Sequence, residues 1–364
     1  MPAAITRLTG ITDELVAGAP PLAELRAALA ERLRGRTLVA HNADFESFFL
    51  ARDVLDGSPL PRFLDTQDLL SITHPDASDL RLETFTRRLL GSEERHRALS
   101  DALDAARVIS HVGVGAREGE PRAIAARDAL ARFAPDSPWL ALFPAAVEAR
   151  ATAPESPWLE IGRSDEKPVA FDEDQVALAL ADEARGRRHF PNYRVREDQI
   201  RLARHFVRNL RDGGVLLLEG GTGVGKSLAY LAAAIPFVMT RPASSRREPL
   251  VISTRTKLLQ DQLLQKDVAA TARFLGWPGL RAISMKGRAN YACSRRLERV
   301  LLEGREPRIF AEDRMAYAVL EACARIRPHG DLRSVPGALL HRYKPLRDLI
   351  ARSTTSRAEQ CSRE

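Results

Sequence analysis

The sequence predicts an α/β protein of two domains joined by a linker. Three observations predict it. Strand-like and helix-like segments alternate through residues 20–112. A stretch rich in Pro and polar residues interrupts them at 134–170. A second alternation, around a glycine-rich turn, begins near residue 186. The chain has 364 residues, too many for one ordinary domain.

The first alternation runs as follows. PPLAELRAALAERLR at 20–34 has helical spacing, and TLVAH at 37–41 reads as a strand. Residues 45–55 read as the next helix, and Asp65-Thr66 follows a short apolar segment. Residues 80–90 and 98–112 return to helical spacing. In 134–170, APDSPW, ATAPESPW and RSDEKP predict a connecting segment with little core of its own.

In the second alternation, 199–211 reads as a helix and GGVLLLEGG as a buried strand entering a glycine turn. Residues 227–239 form an apolar helix, PLVISTRT a further strand, and 257–270 a further helix. From 292 onward the chain is mostly helical and rich in Arg.

Composition excludes several classes. Hydrophobic residues make up 45% and charged residues 28%, which permits a packed core and excludes wholesale disorder. No apolar run reaches the length of a membrane span. MPAAITRLTG lacks the basic start and apolar core of a signal peptide. Cys293, Cys323 and Cys361 make no disulfide framework, so a reducing cytoplasm is expected.

The net charge of +7 hides an asymmetry. Residues 1–185 carry 21 basic and 31 acidic residues, a net −10, whereas 186–364 carry 34 and 17, a net +17. A basic half predicts a polyanionic partner, because Lys and Arg displace counterions condensed on phosphates. The alternative is an Arg-rich solvated surface.

Residues 220–227 read GGTGVGKS, the pattern G-x-x-x-x-G-K-[ST]. Gly220, Gly221, Thr222, Gly223, Val224 and Gly225 form a loop whose backbone N–H groups can point at phosphates. Lys226 reaches the β- and γ-phosphates, Ser227 offers its hydroxyl to Mg²⁺, and the following helix adds its positive end. The pattern predicts ATP or a similar nucleoside triphosphate.

Three further segments flank this loop in order: YRVREDQ at 193–199, VISTRTKLLQDQLL at 251–264 and KGRANYAC at 286–293. Together they resemble the DinG-type helicases, relatives of the XPD branch of superfamily 2. The resemblance covers 186–364 and implies a P-loop, RecA-like ATP-binding domain. It places Arg196 and Gln199 at the adenine, and Thr254, Thr256, Lys257 and Gln260 on the backbone of single-stranded or forked DNA. It also implies a mostly helical iron–sulfur-type insertion beginning at 286. Cys293 matches its first ligand and Cys361 its second, and PHGDLRSV at 328–335 resembles its middle. A [4Fe-4S] cluster needs four ligands as a rule, so this chain alone is not expected to assemble one. Cys323, on the apolar face of AYAVLEACARI, reads as a buried structural thiol.

The first 125 residues resemble the DnaQ-like 3′–5′ exonuclease domain, of RNase H-like fold. ITRLTGIT at 5–12, VAHNADFE at 39–46, LDTQDLL at 64–70 and HRALSDAL at 96–103 carry the likeness. It implies two Mg²⁺-type ions held by four carboxylates, with a histidine base. Glu46 and Asp101 would be metal carboxylates and His96 the base. Glu46 stands where the family usually has Asp. No D-x-E pair spaced by one residue precedes His41, so the first motif and first strand are expected to be missing. No D-E-A-H-like acidic motif follows the phosphate loop, and both ends are expected to be truncated.

The expected organisation is an exonuclease domain at 1–125, a linker at 126–185 and an ATP-binding domain at 186–364, its insertion starting at 286. The expected function is that of a DinG-type ATP-dependent DNA helicase with an exonuclease-like domain, this chain binding ATP and nucleic acid. The alternatives are a binding module without turnover, a nuclease domain kept as scaffold, and a different P-loop enzyme such as a small kinase.

Overall fold

Helical faces with apolar spacing must find cover, and the computed structural model gathers them into two cores. The structure describes residues 2–55, 57–93, 97–151, 156, 158–221, 223–242, 249–326, 330–332 and 335–354. One unit comprises Met1–Pro154 with Gly287–Glu364, and the other comprises Glu155–Lys286.

In the first unit, strands β1 (Thr37–Ala40) and β2 (Arg62–Asp65) pair in parallel, with Ala40 opposite Asp65. Parallel strands need a crossover, and the helix Ala43–Asp53 supplies it. The helices Thr66–Thr73, Ala98–Arg117 and Pro121–Phe133 bring Leu70, Val108 and Phe133 into the core. Pro121 begins its helix where a missing N–H costs nothing. Much later in the chain, the helices Ala311–Ile326 and Leu346–Ser353 add Leu320 and Leu346 to this same core. The rings of Phe133 and Tyr317 stack at 6.1 Å. Beside them Glu321, 3% exposed, accepts from Arg132 at 2.5 Å and from Arg325 at 2.6 Å. A buried carboxylate is tolerated because two guanidinium groups face it. Cys323 is fully buried there, as its apolar face implies.

The second unit packs the helices Glu173–Ala181, Glu197–Asp212, Lys226–Thr240 and Ala269–Phe274 around Val176, Val207, Leu231 and Phe274. Asp172 caps the first of these, accepting from the N–H groups of Asp174 and Gln175 at 3.0 Å.

Two expectations fail. VLLLE and the VISTRT segment are not strands among the described residues, and neither pairs in a sheet. Val215 is 92% and Val251 80% exposed. A parallel strand is held by neighbours on its edges and helices on its faces, and without them its polar backbone bonds to water. The 134–170 segment is also better packed than its composition implies. Trp139 and Phe143 lie in the first core, Ile161 and Val169 in the second. Few large apolar side chains suffice to anchor a Pro-rich stretch. No described helix is long and apolar enough to cross a membrane.

Buried His74 makes the first unit sensitive to acid. It is 6% exposed, and burial, reinforced by Arg88 and Arg122, pushes its pKa down to about 4. The folded state therefore disfavours the imidazolium. Stability from this group is complete above the ordinary histidine value and falls as pH drops from about 6.5 toward 4. Urea unfolding at pH 5 is expected to show about 2 kcal/mol less stability than at pH 7.5. His74→Gln should flatten that difference; an unchanged slope in this variant would assign the loss elsewhere.

Candidate functional sites

Each unit carries one candidate site. In the second, the phosphate loop is built from its glycines outward. Gly223 and Gly225 both have φ of 84°, which favours glycine. Gly225 immediately precedes the helix Lys226–Thr240, and a Cβ there would meet Gln199 Nε2 at 2.0 Å. Hydrogen bonds accompany that close approach: Gln199 Nε2 donates to the Gly225 carbonyl at 2.9 Å, and Arg196 Nη1 donates to the Gly223 carbonyl. Gln199 is 4% exposed, on the first turn of the helix Glu197–Asp212. Lys226 Nζ donates to the carbonyls of Gly220 at 2.8 Å and Gly221 at 3.1 Å. Thr222 lies outside the described residues.

A cleft of about 300 Å³ joins these groups. Arg196, Gln199, Gly225, Lys226 and Ser227 line it, as do Phe190 and Tyr193. Asp267 and Thr271 line it too, and no motif in the sequence marks them. The only hint was a Thr inside an Ala-rich helix, which reads equally well as packing.

The residues expected at DNA hold local roles in this state. Thr256 accepts from Leu259 N at 3.2 Å and caps the helix Lys257–Gln262. Thr254 Oγ1 donates to the Thr256 carbonyl at 3.1 Å, and Gln260 Nε2 to the Met285 carbonyl at 2.6 Å. Thr256 and Lys257 are exposed.

The site of the first unit lies where β1 and β2 end together. Asp65 accepts from the backbone N–H of Asn42 and of Ala43 at 3.0 Å each, and from Gln67 N at 2.8 Å. Asn42 takes φ of 69°, a conformation Asn tolerates, so the chain can turn directly into the helix Ala43–Asp53. His41 is not free: Nε2 donates to the Leu80 carbonyl at 2.7 Å, and Nδ1 accepts from Thr66 Oγ1 at 2.7 Å. Burial holds its pKa below the ordinary value.

Glu46 stands on the first turn of the helix Ala43–Asp53. Its Oε2 is buried without a hydrogen-bond partner. Burial, with the nearby charge of Asp65, raises its pKa. Such an oxygen suits one metal ligand. Asp101 lies in the first turn of the helix Ala98–Arg117, and His96 lies outside the described residues. Among the described residues no three His, Cys, Asp or Glu gather as a metal site. Among the described residues, Glu46 and Asp101 by themselves do not complete a two-metal centre. Of the two cysteines expected at a cluster, Cys293 precedes the helix Ser294–Glu303, partly exposed, and Cys361 lies outside the described residues.

The family model described as Exonuclease (RNase_T) matches residues 1–109. The 3′-5′ exonuclease DinG of Bacillus subtilis is 27% identical over 318 residues, covering 83% of this chain and 33% of that protein. The ATP-dependent DNA helicase YoaA of Haemophilus influenzae is 34% identical over 132 residues, 36% of this chain and 19% of that one. Its Escherichia coli namesake is 38% identical over 114 residues, 31% and 16%. The chain thus spans a third or less of the length of these curated relatives. No solved structure matches it significantly.

Proposed function

The chain is homologous to the DinG-type helicases and carries an exonuclease-family domain at its N-terminus, and from this premise we propose that it binds ATP and single-stranded DNA as part of an ATP-dependent DNA helicase. One observation carries the reading: Arg196, Gln199, Lys226 and Ser227, from the starts of the helices Glu197–Asp212 and Lys226–Thr240, line one cleft. The loop's N–H groups and the start of the helix Lys226–Thr240 favour phosphate. Lys226 exchanges two neutral carbonyl acceptors for charged phosphate oxygens, a stronger class of hydrogen bond. Ser227 is the proposed contact to Mg²⁺ accompanying ATP.

Single-stranded or forked DNA is the proposed partner of the basic half. Thr254, Thr256, Lys257 and Gln260 would contact its backbone, Thr254 and Gln260 sharing donors now bound locally. In the whole protein, ATP turnover would drive translocation. Glu46, Asp101 and His96 remain the proposed nuclease residues of the 1–125 domain, and Cys293 and Cys361 the proposed cluster ligands of the 286–364 insertion. The proposed ATP-binding domain is 186–364.

The test is titration of the full chain with Mg²⁺–ATP and, separately, with a labelled oligo-dT. ATP should saturate. DNA affinity should fall at least about tenfold between 50 and 200 mM salt, by counterion release. Absence of saturable ATP binding, or DNA affinity indifferent to salt, would overturn the proposal.

A further inference from the structure

The nucleotide cleft contains an acceptor and a donor that the phosphate loop does not use. The helical run from Lys257 to Phe274 is interrupted by a π-helical stretch, Leu263–Val268. Such insertions recur at functional sites. Asp267 lies in that stretch and Thr271 four residues later, and both line the cleft. Residues four apart on a helix share a face.

Both side chains lack what their burial calls for. Thr271 is 1% exposed, and its hydroxyl has no hydrogen-bond partner. A helical Thr usually returns its hydroxyl to the carbonyl four residues back; this one does not. Asp267 is half-buried, with no hydrogen bond or ion pair among the described residues. Burial raises its pKa, opposed only by the charge of Lys266. A carboxylate facing phosphates would be repelled, so this one suits a hydrogen-bond donor on the rest of the nucleotide.

Arg196 and Gln199 already spend donors on loop carbonyls. They brace the loop and leave part of the base unread. Phe190 and Tyr193, rings 5.9 Å apart, supply apolar surface at the same cleft.

We propose that Asp267 and Thr271 set base specificity: the carboxylate accepts from the 6-amino group of adenine, and the hydroxyl donates to the adjacent ring nitrogen. This inference rests on the nucleotide-binding reading above. The ring nitrogen is N7: on that edge adenine offers a donor beside an acceptor, whereas a 6-oxo purine offers two acceptors, the second of which would face the carboxylate unpaired. Sites with a buried polar group reject the analogue that leaves it unpaired.

The experiment is calorimetric titration of the full chain and of Asp267→Asn with ATP, ITP and 2′-deoxy-ATP. The wild type should prefer ATP over ITP by about tenfold or more. Asp267→Asn should abolish or invert that preference, because the amide can donate to the 6-oxo group. Thr271→Val should weaken ATP severalfold while keeping the preference. It also tests the site independently if the Asn variant fails to fold. Equal wild-type affinity for ATP and ITP would overturn the inference while leaving the nucleotide site intact. So would a preference unmoved in Asp267→Asn, or a deficit of that variant that disappears with 2′-deoxy-ATP, which would put the carboxylate on the ribose. Absence of binding to any nucleotide would sink both readings together.

Discussion

Lys226→Ala is expected to lower the affinity of the full chain for Mg²⁺–ATP by about 100-fold, the equivalent of a lost charge-assisted contact to phosphate. The ammonium is the only side-chain cation of the loop itself, and the helix dipole cannot replace it. The fold should survive. Among the described residues Lys226 is bonded only to two loop carbonyls, Gly220 and Gly221, which water can satisfy. Far-ultraviolet circular dichroism and the urea midpoint should therefore match the wild type. Lys226→Arg should also bind weakly, since a planar fork does not fit a loop shaped around a point charge. Unaltered ATP affinity in the Ala variant would remove the loop from the binding site.

The second large effect is on stability and sits at Asp65. Its side chain is 9% exposed and accepts four hydrogen bonds: three from backbone N–H groups and one from Arg342 Nη2 at 2.9 Å. Arg342 also reaches Asp68 at 2.8 Å and Gln67 Oε1 at 2.9 Å. Asp65→Ala leaves three amides and part of a half-buried guanidinium unpaired. It should cost about 3–5 kcal/mol in urea unfolding at pH 7.5. Adding Arg342→Met should recover part of that loss, because the stranded charge leaves with it. A cost below about 1 kcal/mol would mean that water takes over the carboxylate's role. The consequence reaches the candidate nuclease site: Asp65 holds the turn that places His41, Asn42 and Glu46, and Arg342 braces Asp65 from 277 residues away.

Local chemistry made much of this legible in advance. Helical spacing at 20–34 and 98–112 became the helices Leu22–Leu33 and Ala98–Arg117. TLVAH became β1, which ends at Ala40. The glycine spelling of the phosphate loop foretold its two left-handed residues. The strands expected at 215–219 and 251–256 did not form, because strand formation is decided by neighbours rather than by the segment. His41 carried a motif, yet its two ring nitrogens are taken by Thr66 and Leu80, a fact that depends on which loop passes beside it. Asp267 and Thr271 had no motif at all.

The sequence by itself determined the periodic elements, the phosphate loop, the order of motifs and the charge asymmetry, since each follows from residues within a few positions of one another. Only the tertiary structure decided that the helices beyond residue 311 complete the core of the first 154 residues. Only it placed Arg342 against Asp65, or turned Asp267 and Thr271 to the cleft of Lys226. Those pairings join residues far apart in the chain. They are selected by which apolar faces bury together and which buried polar groups must then find partners, and no local pattern encodes that choice.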